Sequence, residues 1–98
     1  MKTNEMAKNY LLISKECLEE AELAVARNNS ALVVRRSQEA LELSVKALLR
    51  ALAIEYPREH DVGEALLFAK ERLPEAIKVE LENIMDLMSK LAKDRGPA

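Results

Sequence analysis

The residues whose types could do chemistry are few, and they are spread along the chain. His60 is the only imidazole and Cys17 the only thiol. An imidazole titrates near pH 6.5 when unperturbed, so His60 is the one candidate general base. It also precedes a predicted helix start, where ordering the loop is the simpler role. A single His and a single Cys cannot assemble a metal cluster, and no His/Cys/carboxylate spacing resembles a zinc site. Cys17 falls on an apolar helix face and reads as a buried structural thiol. Glu16, Glu19, Glu20 and Glu22 form an acidic patch that faces solvent. Two isolated glycines, Gly63 and Gly96, cannot build a phosphate-cradling loop. No serine sits in a nucleophile elbow. The expectation is therefore no metal, no cofactor, and no catalytic residue beyond the candidate base His60.

The basic residues are more suggestive. Arg36, Arg50 and Arg58 lie on the predicted second helix and the loop after it, and with His60 they could frame a shallow phosphate-binding face. Arg35 with Glu39 and Glu42 with Lys46 have the four-residue spacing of surface ion pairs, which is the competing use of such charges. Three or four cations would give weak, salt-sensitive binding. The net charge of −2 provides no overall attraction to nucleic acid.

These side chains must be positioned by helices. Ala, Leu, Glu, Lys and Arg supply 59 of the 98 residues, while Val, Ile and Thr supply 11, so helix is favoured over sheet. A first helix is expected from Asn4 to Arg27, with Met6, Tyr10, Ile13, Cys17, Ala21 and Ala24 on its buried face and Leu11, Leu18 and Val25 widening it. An Arg27-Asn28-Asn29-Ser30 break follows, with Ser30 as a cap. The second helix is expected from Ala31 to Ile54. It is apolar around most of its girth, the mark of a central helix. Pro57 ends it. A short third helix is expected from Asp61, the predicted cap, to Arg72. A fourth runs from Pro74 to Lys93 with Ile77, Leu81, Ile84, Met88 and Leu91 in one stripe. The fold expected is all-α, an up-and-down four-helix bundle forming one domain over residues 1–98. The longest apolar run, Ala65 to Ala69, is too short to span a bilayer and the N-terminus lacks a signal-peptide core. The expected location is the cytoplasm, with no membrane partner.

From Tyr10 to about Leu67 the chain resembles a HEPN domain (higher eukaryotes and prokaryotes nucleotide-binding). The resemblance rests on an ordered set: Ser14-Lys15-Glu16-Cys17-Leu18-Glu19-Glu20-Ala21 in the first helix and the Asn-Asn-Ser turn come first. Gln38-Glu39-Ala40-Leu41-Glu42 leading into Lys46-Ala47-Leu48-Leu49 follows in the second helix. After the proline loop comes His60-Asp61-Val62, similar to the family's His-Asp-Leu start of the third helix. The resemblance implies a small helical bundle, commonly a homodimer. It implies roles as a ribonuclease toxin in toxin–antitoxin pairs, as a partner of a minimal nucleotidyltransferase, or in binding nucleotide or RNA. Ribonuclease members carry an Arg and a His separated by four to six residues. Here Arg50 and His60 are separated by nine residues and Arg58 and His60 by one, so that motif is missing. Family members tend to continue past the fourth helix into a further C-terminal helix: either this is a short member of the family or that helix is absent, and in the second case an apolar groove on the first two helices would be exposed and favour dimerisation.

Three functions are consistent with these observations. The first is a dimeric binding module that works with a nucleotidyltransferase and holds nucleotide or RNA phosphates through His60, Arg58, Arg50 and Arg36. The second is a metal-independent ribonuclease toxin with His60 as base and Arg50, or an Arg of a second subunit, stabilising the oxyanion. The third is a purely structural assembly domain.

Overall fold

The computed structural model describes residues 3–55 and 62–95. Among these residues every regular element is helical. The elements are α1 (Thr3–Ala26), α2 (Ser30–Ala51), α3 (Val62–Phe68), a 3₁₀ turn (Lys70–Arg72), α4 (Glu75–Lys78) and α5 (Leu81–Arg95). They pack into an all-α bundle with extents of 39 × 27 × 27 Å.

The turn between α1 and α2 is built by two asparagines. Asn28 takes φ 58°, a left-handed conformation that asparagine tolerates better than most residues. Its N–H donates to the carbonyl of Val25 at 3.1 Å, and the N–H of Asn29 donates to Ala24 at 2.9 Å. This pair of bonds is the Schellman arrangement, which satisfies carbonyls left over at the end of α1. Asn29 then caps α2, its Oδ1 accepting from the Leu32 N–H at 3.2 Å. The cap is thus Asn29, and Ser30, the expected cap, is the first helical residue. A carboxamide one position earlier reaches the third helical N–H, which Ser30 cannot reach from inside the helix.

α2 ends by the same device, at Ala51 and not at the expected Ile54. Ala53 adopts φ 55°. Its N–H donates to Arg50 at 3.0 Å, and the N–H of Ile54 donates to Leu49 at 2.9 Å. A left-handed alanine costs about 1–2 kcal/mol. The reversal turns Ile54 into the core beside Leu49, and this burial offsets the cost.

The expected third helix is α3 followed by the 3₁₀ turn, with its predicted cap, Asp61, outside the described residues. The expected fourth helix is divided into α4 and α5. At the joint the Glu80 N–H donates to Ile77 at 3.0 Å, a tightened i→i+3 bond, and regular bonding resumes with Ile84 to Glu80 at 2.9 Å. Leu81, which opens α5, is buried, and the stripe of Ile77, Ile84 and Met88 packs against the same cluster.

α2 is the central element, as its girth predicts. α1 covers one face, and α3 and α5 cover the other. The seam with α1 is made of small side chains: Ala7, Ser14, Cys17, Ala21 and Ala24 from α1, and Ala40 and Ala47 from α2, all buried. Small side chains let the two backbones approach closely. Ser14 Oγ donates across the seam to the Ala40 carbonyl at 2.8 Å. The other face is a core of large side chains, centred on Val45, Leu49, Leu66, Leu73 and Leu81.

The buried face of α1 keeps the expected Cys17, Ala21 and Ala24, with Met6 and Tyr10 half-buried, and adds Ala7 and Ser14 where Ile13 was expected. Ile13 is exposed, and so are Leu11, Leu18 and Val25, which flank the buried face without widening it. A branched chain in the middle of the seam would hold the helices apart, so the close approach selects Ala, Ser and Cys there.

Candidate functional site

The four predicted phosphate-binding residues do not form one face. Arg58 and His60 lie outside the described residues. Arg36 and Arg50 both belong to α2, but fourteen positions apart on a helix is roughly 21 Å along its axis. A single phosphate cannot touch both.

Arg36 is committed elsewhere. Its Nε donates to Glu20 Oε1 of α1 at 2.9 Å, and its Nη1 donates to Glu39 Oε1 of α2. These hydrogen bonds, Glu20 first and Glu39 second, hold the guanidinium further above its already high value. Arg36 fastens one flank of the hairpin.

Arg50 is exposed in the last turn of α2, with no ion pair among the described residues. A cation there complements the carbonyl end of the helix dipole. A second guanidinium reaches the end of the same helix from a distant part of the sequence. Arg72 Nη2 donates to the Leu52 carbonyl at 3.3 Å, just beyond the end of α2. One helical turn before Arg72, Phe68 is 86% exposed. Arg72 is thereby tied to the end of α2, whose last turn carries Arg50, and Phe68 is exposed at the end of α3, just before the 3₁₀ turn that carries Arg72. The segment that carries Arg58 and His60 departs from the same end of α2. Cations suit phosphate, and an exposed ring suits an unstacked base.

Sequence reasoning missed Arg72 and Phe68. Arg72 sits in Lys70-Glu71-Arg72, an unremarkable mixed-charge stretch, and Phe68 sits in an apolar run that reads as core. A period count across 62–72 would have placed Phe68 on the side opposite Leu66 and signalled its exposure.

Cys17 carries no chemistry in its surroundings. Burial pushes its thiol up, and the nearby negative charges of Glu39 and Glu20 push it further. A thiol held protonated is a poor nucleophile and a poor ligand. No group of three His, Cys, Asp or Glu side chains among the described residues could hold a metal ion.

A groove of about 370 Å³ has none of Arg36, Arg50 and Arg72 in its lining. It runs between α2, α3 and α5, and Leu41, Val62, Met85 and Met88 line it beside the carboxylates of Glu42 and Glu64. Among the described residues no helix is long and apolar enough to cross a membrane.

The fold defines a compact all-helical module with two arginines, Arg50 and Arg72, at one end of its central helix. Residues 7–97, nearly the whole chain, match the HEPN domain, and the protein belongs to that family. The match extends past both ends of the stretch that carries the sequence resemblance. Membership places the chain among helical modules of the nucleotide-binding or ribonuclease type. No curated protein and no solved structure matches it.

Proposed function

We propose that this protein is a non-catalytic HEPN module that forms a homodimer, acts beside a minimal nucleotidyltransferase in a toxin–antitoxin type of pair, and binds nucleotide or RNA phosphates. The observation that carries the binding role is Arg72 bonded to the Leu52 carbonyl, just past the helix end whose last turn carries the exposed Arg50, with Phe68 exposed one turn before Arg72 in the chain. Arg50 and Arg72 would neutralise phosphate, Phe68 would offer its face to a base, and Arg58 and His60 would complete the site from the following segment. Arg36 stands apart, engaged by Glu20 and Glu39. The absence of an Arg and His four to six residues apart supports binding over cleavage. A cytoplasmic location fits a role on RNA or nucleotide.

The test is a fluorescence titration with a labelled single-stranded RNA and with ATP, at low and physiological salt. Arg50→Ala with Arg72→Ala should weaken binding about tenfold or more and flatten its salt dependence, because two phosphate contacts are lost. Equal affinity for wild type and double variant would remove this site. RNA cut by the wild type in the presence of chelator would favour the ribonuclease reading, with His60 as base.

A further inference from the structure

The two flanks of the α1–α2 hairpin differ in kind. On one flank Glu20, Arg36 and Glu39 link the helices by charge. The other flank carries Leu11, Leu18 and Val25 of α1, spaced by seven and 53%, 51% and 60% exposed. The antiparallel register follows from Ser14 meeting Ala40 and Glu20 meeting Arg36. Continued along the hairpin, it sets Leu11 level with Ser44, Leu18 with Ser37, and Val25 with Ser30. Each row thus has one large apolar residue and one serine, with no charge. Ser44 turns its hydroxyl back onto the Leu41 carbonyl at 2.8 Å, which leaves that part of the lane less polar.

We infer that this uncharged flank is where a second copy of the chain docks, antiparallel, about a two-fold axis at Leu18. The inference rests on the dimeric reading above and assigns it a surface. Three features select a second copy as the occupant. The stripe is symmetric about its middle, so Leu18 would meet itself while Leu11 meets Val25 of the other copy. A spacing of seven is the repeat that keeps a seam between two helices in register. The charges are also self-complementary. Lys15 and Glu22 border the stripe on the side away from α2, both exposed and neither in an ion pair among the described residues. In the antiparallel arrangement Lys15 of each copy falls opposite Glu22 of the other, giving two symmetric pairs. On the α2 side, Ser37 would face its own counterpart and Ser30 would face Ser44 of the other copy, and their small size admits the close approach. The area is adequate: two helices side by side, roughly 30 Å long and 20 Å across, present on the order of 600 Å² in projection. That is comparable with the roughly 800 Å² of accessible surface per partner in stable interfaces.

The experiment is light scattering and sedimentation of the purified full chain, with four variants. Wild type should be dimeric at micromolar concentration, and Leu18→Glu monomeric, its dimer weakened about a hundredfold or more. Helical circular dichroism should be unchanged, because Leu18 is outside the core. Lys15→Glu should weaken the dimer about tenfold, and Lys15→Glu with Glu22→Lys should restore it. Leu18→Cys in a Cys17→Ala background should form a covalent dimer on mild oxidation. A stable dimer indifferent to the Lys15 and Leu18 changes would overturn this surface and leave the dimeric reading standing. A wild type that stays monomeric would overturn both.

Discussion

The two faces of α2 are packed by opposite means. Toward α1 it presents Ala40 and Ala47 to other small residues, and a serine bonds across the seam to the backbone. Toward α3 and α5 it presents Val45 and Leu49 to Leu66, Leu73 and Leu81. The first face gains from closeness and the second from area removed from water. Apolar burial contributes about 25 cal/mol per Å², so a seam of alanines removes less area per residue than a core of leucines. The teaching is that one helix can be central in two senses: it anchors the core on one side and sets a precise spacing on the other.

The largest effect should come from the leucine side. Leu66 is 0% exposed, and Leu66→Ala should destabilise the fold by about 3 kcal/mol, read as a lower urea midpoint. On the seam the damaging change is the reverse one. Ala47 is 2% exposed, and Ala47→Leu should cost about 2 kcal/mol by forcing α1 away. The same change at Ala51, which is exposed, should have almost no effect. Equal tolerance at Ala47 and Ala51 would show that the seam is loose and erase the contrast between the faces. The smallest effect is a pH dependence confined to the seam. The Cys17 thiol lies above its ordinary value of 9.0 in the folded chain, so the fold favours the protonated form. Its contribution is fully present below 9.0 and is lost as the pH rises through the folded value. Between pH 8 and pH 10.5 the urea midpoint of wild type should therefore fall further than that of Cys17→Ala. Parallel declines would place the thiol in contact with water.

Much of this architecture was legible from local patterns. The Asn-Asn-Ser break, the girth of α2 and the stripe from Ile77 to Met88 follow from residue type and period, which need no knowledge of a partner helix. The buried face of α1 followed in part: Cys17, Ala21 and Ala24 are buried as expected. Apolar periodicity also favours Ile13 and Leu18, whereas the close approach to α2 selects Ala7 and Ser14 in their stead. That choice depends on the alanines of another helix. The site shows the same division. Arg50 was legible as a basic residue near the end of a helix, but Arg72 reaches that helix end through the Leu52 carbonyl, twenty residues away in sequence. Arg36 read as a ligand-binding cation because Glu20, sixteen residues earlier, gave no local sign of pairing with it.

One feature of the topology bears on how the protein is made. The contacts of α1 are concentrated on α2, the next helix in the chain. Nothing that emerges from the ribosome after α2 is needed to complete that seam. The hairpin can close while α3 to α5 are still being synthesised, with the leucine face of α2 waiting for them. Short sequence separation favours fast closure. The nascent chain would thus have its vulnerable period after the alanine seam forms and before Leu66, Leu73 and Leu81 arrive, when a half-covered α2 is open to chaperones or to other unfinished chains.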